Sequence, residues 1–126
     1  NYYSLIGING TPDYTTLSVH AKGDGTLEAI FECGVGDNPT RVPISNNMWY
    51  WVTQQYTQGG THYMALYETT TWTLVHSWSQ PAKGSNPPWA VLIGGPAEGS
   101  QFPTGVHSYF DNIIIDYTNA TYPILP

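Results

Sequence analysis

The chain has 126 residues and a formal net charge of −6, with three lysines and arginines against nine carboxylates. A chain of this length forms one domain. So few cations cannot neutralise a phosphate backbone, which argues against nucleic acid as a partner. No run of about eighteen apolar residues is present, so no segment is predicted to insert into a membrane.

The composition predicts an all-β protein. The chain contains 10 Tyr, 5 Trp, 13 Gly and 10 Pro. Aromatic and β-branched residues suit a half-buried pleated surface, whereas glycine and proline mark the turns between strands. We therefore predict a single β-sandwich domain over residues 1–117, followed by an extended arm or linker over 118–126.

In chain order, alternation of apolar and polar residues predicts nine strands. They cover residues 2–8, 14–21, 26–33, 41–44, 48–56, 62–68, 72–78, 89–93 and 108–117. The Asp24-Gly25 pair is a strong hairpin signal between the second and third strands. In the last strand the run Ile113-Ile114-Ile115 is apolar on both faces, which predicts burial between two layers. Two antiparallel sheets are expected, because a single open sheet would leave one apolar face in water.

Four motifs carry a family resemblance. In order they are Trp49-Tyr50-Trp51-Val52, Tyr63-Met64-Ala65-Leu66-Tyr67, Leu74-Val75-His76-Ser77 and Tyr109-Phe110-Asp111-Asn112-Ile113-Ile114-Ile115. As a set they resemble the concanavalin A-like or laminin G-like family over about residues 14–117. The resemblance implies a two-sheet antiparallel jelly-roll sandwich and a possible structural calcium at Asp111. The family includes lectins, carbohydrate-binding modules, glycosidases and structural modules, and fold alone does not choose among them.

The aromatic residues are the candidate binding residues. A pyranose presents an apolar C–H face that stacks on a flat aromatic ring. A small sandwich cannot bury all these rings, so some are expected to face a ligand. On this basis the predicted carbohydrate-binding residues are Trp49, Trp51, Tyr63, Tyr67, Trp72, Trp78 and Trp89.

Strand alternation assigns these rings to faces. Trp49 and Trp51 share the face opposite Val52, which is expected to be core, and Tyr63 and Tyr67 share a face of the next strand. On the strand after that, alternation groups a further four residues on one face: Trp72, Leu74, His76 and Trp78.

Catalysis and zinc binding are not expected. Glu28 and Glu32 share one face of a strand, in a pattern similar to that of laminarinase-type jelly-roll hydrolases, but Ile30 stands where those enzymes carry aspartate. Residues four apart on a strand lie about 13 Å apart, which is too far for a catalytic pair. We therefore expect two solvated glutamates. The 4 histidines lack zinc-ligand spacing.

The sequence thus predicts a non-catalytic module that binds a neutral polysaccharide or glycan through tryptophan and tyrosine faces. Its expected location is extracellular, on a cell surface or on a virion surface. The alternative is a structural module of a virion, fibre or surface appendage that assembles with copies of itself or with neighbouring domains through its sheet edges.

Overall fold

The computed structural model describes residues 2–10, 12, 14–34, 38–96 and 109–116. These residues form eight β-strands: β1 (Tyr2–Asn9), β2 (Tyr14–Ala21), β3 (Leu27–Cys33), β4 (Thr40–Ile44), β5 (Tyr50–Gln55), β6 (Thr61–Glu68), β7 (Thr73–Pro81) and β8 (Ala90–Pro96). Within these ranges there is no helix, and so no apolar helix of membrane-spanning length. The prediction of an all-β protein is confirmed.

The strands form two antiparallel sheets. The larger sheet has the order β4-β3-β2-β1-β8, and the smaller has the order β5-β6-β7. Within each sheet, strands that are consecutive in the chain pair with each other, apart from β8, which joins the far edge of the larger sheet beside β1. This architecture is consistent with the predicted β-sandwich.

The hairpin between β2 and β3 forms where the Asp24-Gly25 pair predicts it. Gly25 adopts a positive φ of 84°, which glycine tolerates because it has no Cβ. One carboxylate oxygen of Asp24 accepts the Thr26 amide at 2.9 Å and the Thr26 hydroxyl at 2.6 Å. These local bonds close the turn and fix the register of the two strands.

The two sheets face each other across a common apolar core. The larger sheet contributes Leu17, Ala29 and Phe31, and the smaller contributes Met64 and Leu66, all of them buried. In each strand the core residues alternate with side chains on the opposite face, so each sheet has an inner face toward the core and an outer face away from it.

Polar side chains also connect the inner faces. The Gln54 amide donates to the Thr15 carbonyl at 2.9 Å and to the Thr15 hydroxyl, joining β5 to β2. Phe31 on β3 meets the His76 ring on β7 edge to face, with ring centroids 5.0 Å apart. The sheets are therefore held in a defined position by directional contacts as well as by apolar burial.

A β-bulge in β7 changes the predicted assignment of side chains to faces. The pairing between β6 and β7 shifts by one residue, so that Leu66 lies opposite His76 but Tyr67 lies opposite Leu74. A bulge places an extra residue on one strand and reverses the alternation beyond it. His76 therefore lies with core residue Leu66, while Leu74 lies on the outer face with Tyr67. The prediction that Leu74 and His76 share a face is wrong.

The ninth predicted strand, over residues 108–117, is not found among the described residues. Residues 109–116 form no strand, and the three isoleucines 113–115 are exposed rather than buried, with Ile114 at 60% of its maximum. Phe110 nonetheless approaches the end of β8, where a Cβ on Gly94 would lie 3.2 Å from the ring. An apolar run is buried as a strand only if it pairs with the edge of a sheet, and no described strand pairs with this run. The predicted arm over 118–126 lies outside the described residues.

Candidate functional site

The structure separates the seven predicted binding residues by exposure. Trp89, Trp49, Trp72 and Tyr63 are exposed, at 69%, 56%, 48% and 38% of their maxima. Trp51 and Tyr67 are half-buried. Trp78 is also half-buried, but it pairs with Met64 on the inner face and packs against the core.

Four of these aromatic residues meet at one end of the smaller sheet. Trp51 and Tyr67 are direct cross-strand partners on its outer face, and Leu74 lies beside Tyr67. The rings of Trp51 and Trp72 meet edge to face, with centroids 6.3 Å apart and planes inclined at 61°. Trp49 directly precedes β5 at the same end. We call Trp49, Trp51, Tyr67 and Trp72 the aromatic end.

Glu68, the last residue of β6, organises the turn that carries Trp72. Its carboxylate accepts the Thr70 amide, the Thr71 amide at 3.1 Å and the Thr71 hydroxyl at 2.7 Å. These hydrogen bonds to the charged form lower the pKa of Glu68 to about 2, with the bonds from Thr70 contributing most. The carboxylate is therefore ionised over the physiological pH range.

Trp72 adopts a conformation that its side chain disfavours. Its φ is 54°, in the left-handed region that residues with a Cβ rarely occupy. Such a conformation persists only where the surrounding structure enforces it, and residues held in this way are found most often at functional sites. Here the Glu68-bound turn precedes Trp72, and β7 begins directly after it.

The same turn is tied to Trp49. The Thr69 amide and hydroxyl both donate to the Trp49 carbonyl oxygen, at 3.2 Å and 3.0 Å. These two bonds extend the pairing of β5 and β6 by one step and hold the Trp49 backbone beside the turn. The two most exposed indoles of the aromatic end are thus fixed to one hairpin.

Trp89 and Tyr63 lie away from this end. The Trp89 amide donates to the Asn9 carbonyl at 2.8 Å. Asn9 follows Ile8, which pairs with Thr15, and Thr15 accepts the hydrogen bond from Gln54. Gln54 is near the end of β5 and Trp49 precedes its start, so Trp89 and Trp49 lie toward opposite ends of this six-residue strand, which spans about 20 Å. Tyr63 is on the outer face but pairs with Gln55, at the far end of β5.

Glu28 is not the solvated residue that the sequence predicts. Its side chain is mostly buried, and its carboxylate contacts Arg41 at 2.6 Å, His20 at 2.8 Å and Lys22 at 3.0 Å. These partners, His20 foremost, lower the pKa of Glu28 to about 2. Glu32 instead accepts a hydrogen bond from the Tyr14 hydroxyl at 3.0 Å. Strand pairing brings these groups together, because it places His20 directly across from Glu28 and Arg41 on the adjoining edge strand.

Asp111, the possible calcium ligand, makes a local contact. One of its carboxylate oxygens accepts the Asn112 amide at 2.8 Å. In the part of the chain that the structure describes, no group of three or more His, Cys, Asp or Glu side chains is placed to hold a metal ion. Calcium at Asp111 stays a prediction.

Two features of the aromatic end were not predicted from sequence. Glu68 was not singled out, although a glutamate directly before Thr69-Thr70-Thr71 is a signal for a side chain that caps a turn through hydroxyl and amide donors. The left-handed backbone of Trp72 has no sequence signal, because the residues that usually mark it are glycine, asparagine and aspartate.

The chain matches no protein-family model, and no curated protein or solved structure is significantly similar to it. The fold alone defines its class: an all-β protein with antiparallel sheets of five and three strands.

Proposed function

We propose that this protein is a non-catalytic glycan-binding module and that the aromatic end is its binding site. The observation that carries the proposal is the exposure of Trp49 and Trp72 at one end of the smaller sheet, where the Trp49 backbone is bonded to the turn that carries Trp72 and the Trp72 ring meets Trp51. Flat indole faces held in place at a surface suit the apolar faces of pyranose rings. Their rigidity lowers the entropy lost on binding.

The charge distribution supports a neutral ligand. Two of the three fixed cations, Lys22 and Arg41, are engaged by Glu28. An acidic surface repels sulfated and uronic polymers but leaves a neutral polysaccharide unaffected. The engagement of Glu28 by three basic groups also supports the non-catalytic part of the proposal, because a glycosidase acid needs a raised pKa.

The finer fold class and the location are part of the same proposal. We propose a concanavalin A-like jelly roll that acts outside the cell, on a cell surface or on a virion surface. The two facing antiparallel sheets and the all-β class support this assignment.

Titration of tryptophan fluorescence with neutral oligosaccharides tests the proposal. We expect a saturable response that is lost in Trp49→Ala and Trp72→Ala variants. Trp89→Ala is the matched control, because it removes an indole that is at least as exposed but lies at the opposite end of β5. An equal loss in all three variants, or no response from the parent protein, would contradict the proposal.

A second candidate function is self-assembly, and residues 109–115 favour it. Tyr109, Phe110 and the isoleucines 113–115 are all exposed and lie outside any described strand, with Asp111 and Asn112 between the two apolar groups. Contiguous exposed apolar residues mark contact surfaces. If assembly is the function, the parent protein forms oligomers in sedimentation experiments and Ile114→Lys converts them to monomers. A monomeric parent at high concentration would exclude this alternative.

A further inference from the structure

The edge-to-face pair at the aromatic end forms a corner rather than a flat platform. The ring planes of Trp51 and Trp72 are inclined at 61°, so they cannot both lie flat against one planar surface. A crystalline polysaccharide presents a planar surface. A single glycan chain turns at each glycosidic bond, so successive sugar rings present apolar faces at an angle to one another.

The backbone at Trp72 takes part in setting this corner. Its left-handed φ of 54° fixes the direction in which the Cα–Cβ bond leaves the chain, and the side-chain torsions orient the ring from there. An intrinsically unfavourable backbone needs an external restraint.

Glu68 supplies that restraint. Both of its carboxylate oxygens are used: one accepts the Thr70 amide, and the other accepts the amide and the hydroxyl of Thr71. The Thr71 hydroxyl also lies 2.7 Å from the Thr73 hydroxyl, which extends the network across Trp72 to the start of β7. Residues on both sides of Trp72 are therefore joined to one carboxylate.

We propose that Glu68 is the positioning residue of the aromatic end: it fixes the corner between Trp51 and Trp72, and this corner selects a single soluble glycan chain over a flat polymer surface. The ligand-class part of this inference rests on the proposed function. The positioning part does not, because the corner exists without ligand.

The corner has a spectroscopic signature that needs no ligand. Two indoles about 6 Å apart and inclined to each other couple their excited states and give a paired positive and negative band in far-ultraviolet circular dichroism. We expect this couplet in the parent protein and its loss in Trp72→Phe, Glu68→Ala and the milder Thr71→Val. Glu32→Ala is the matched control, because Glu32 also accepts a side-chain hydrogen bond but lies on the larger sheet.

Ligand class is tested by comparing a soluble hexasaccharide with the crystalline polymer of the same sugar. Two such pairs are used: cellohexaose with microcrystalline cellulose, and chitohexaose with crystalline chitin. We expect the parent to bind one of the hexasaccharides without retention on the corresponding solid. Glu68→Ala and Trp72→Phe should each weaken binding about tenfold, whereas Glu32→Ala should not. Denaturation midpoints verify that each variant is folded.

The outcomes separate the two proposals. A couplet and an affinity that survive in Glu68→Ala overturn the positioning role. Retention of the parent on the crystalline polymer through Trp72 overturns the ligand class, while the proposed function stands. A parent that binds neither form overturns the proposed function and the ligand class together, and the couplet still decides whether Glu68 sets the corner.

Discussion

At the scale of single residues, chemical identity does not determine whether an indole is exposed. Trp49 and Trp78 are the same residue type in similar alternating segments. Trp49 is mostly exposed, whereas Trp78 pairs with Met64 and packs on the core. The difference lies in the partner strand, because a cross-strand neighbour fixes the face on which a side chain lies.

The backbone of Trp72 gives a direct test at this scale. Replacement by alanine and replacement by glycine both remove the indole, but only alanine keeps a Cβ at the left-handed φ of 54°. Trp72→Gly should therefore be more stable than Trp72→Ala by about 1 kcal/mol, as measured by urea unfolding.

Thr73, the first residue of β7, provides the comparison. In an ordinary extended strand glycine destabilises relative to alanine, so Thr73→Gly should be the less stable of its pair. If alanine is the better residue at both positions, Trp72 does not hold a left-handed backbone in solution.

At the scale of elements, turns and bulges decide what the strands present. The bulge in β7 places Leu74 outside and keeps His76 inside, within one strand. The Glu68-bound turn then joins β6 to β7 at the end where Trp72 lies. The hairpin of β6 and β7 therefore has an inner face toward the core and an outer face, and the bulge and the turn decide which side chains lie on each.

Two leucines of this hairpin test the assignment of faces. Leu66 is 1% exposed and Leu74 is 47% exposed. Leu66→Ala leaves a cavity in the core and should lower the free energy of unfolding by about 2–5 kcal/mol. Leu74→Ala removes a half-exposed side chain and should cost less than about 1 kcal/mol. Similar losses in the two variants would show that Leu74 faces the core, as simple alternation predicts.

At the scale of the whole molecule, two of the three fixed cations lie at one carboxylate. Lys22 and Arg41, together with the His20 ring, surround Glu28 on the larger sheet, while Glu68 is bound by uncharged donors on the smaller sheet. Both glutamates have a pKa of about 2, below the ordinary value of 4.5. Each sheet thus carries one carboxylate that its hydrogen-bond donors hold in the ionised form.

These two pKa values predict acid sensitivity with a defined sign. A carboxyl whose pKa is lower in the folded state binds fewer protons there than in the unfolded state, so its stabilising effect is complete above about pH 4.5 and is lost as the pH falls toward 2. The slope of the unfolding free energy against pH reports how many more protons the unfolded state binds than the folded state. Within this window that number should be smaller by about two in a Glu28→Gln, Glu68→Gln double variant than in the parent.

Urea unfolding at a series of pH values measures this slope. Above about pH 6 both carboxylates are ionised in the folded and the unfolded state, so neither contributes to the slope there. Slopes that also coincide between pH 4.5 and 2 would show that neither glutamate carries the acid sensitivity.

Much of the local structure could be predicted from sequence, because it depends on neighbouring residues. Alternation located eight strands, with end points displaced by a few residues, and the Asp24-Gly25 pair located a hairpin that its own side-chain bonds close. The all-β class followed from the same patterns. These features depend on residues that are close in the sequence and are therefore also close in space.

Long-range pairing was beyond prediction. Placement of β8 beside β1, burial of Glu28 among three basic groups and exposure of the isoleucines 113–115 all depend on which strands meet across the fold. The run of isoleucines shows the limit most clearly, since its composition favours a buried strand but no described edge pairs with it.

The sequence by itself determined that this chain forms β-strands rich in aromatic residues and carries three lysines and arginines against nine carboxylates. Only the tertiary structure decided that Trp49, Trp51 and Trp72 meet at one end of a sheet while Trp78 lies against the core. The physical reason is that alternation specifies two faces for each strand but not which face meets the other sheet. That choice is made by partner strands, by the bulge at Val75 and by the turn that Glu68 holds.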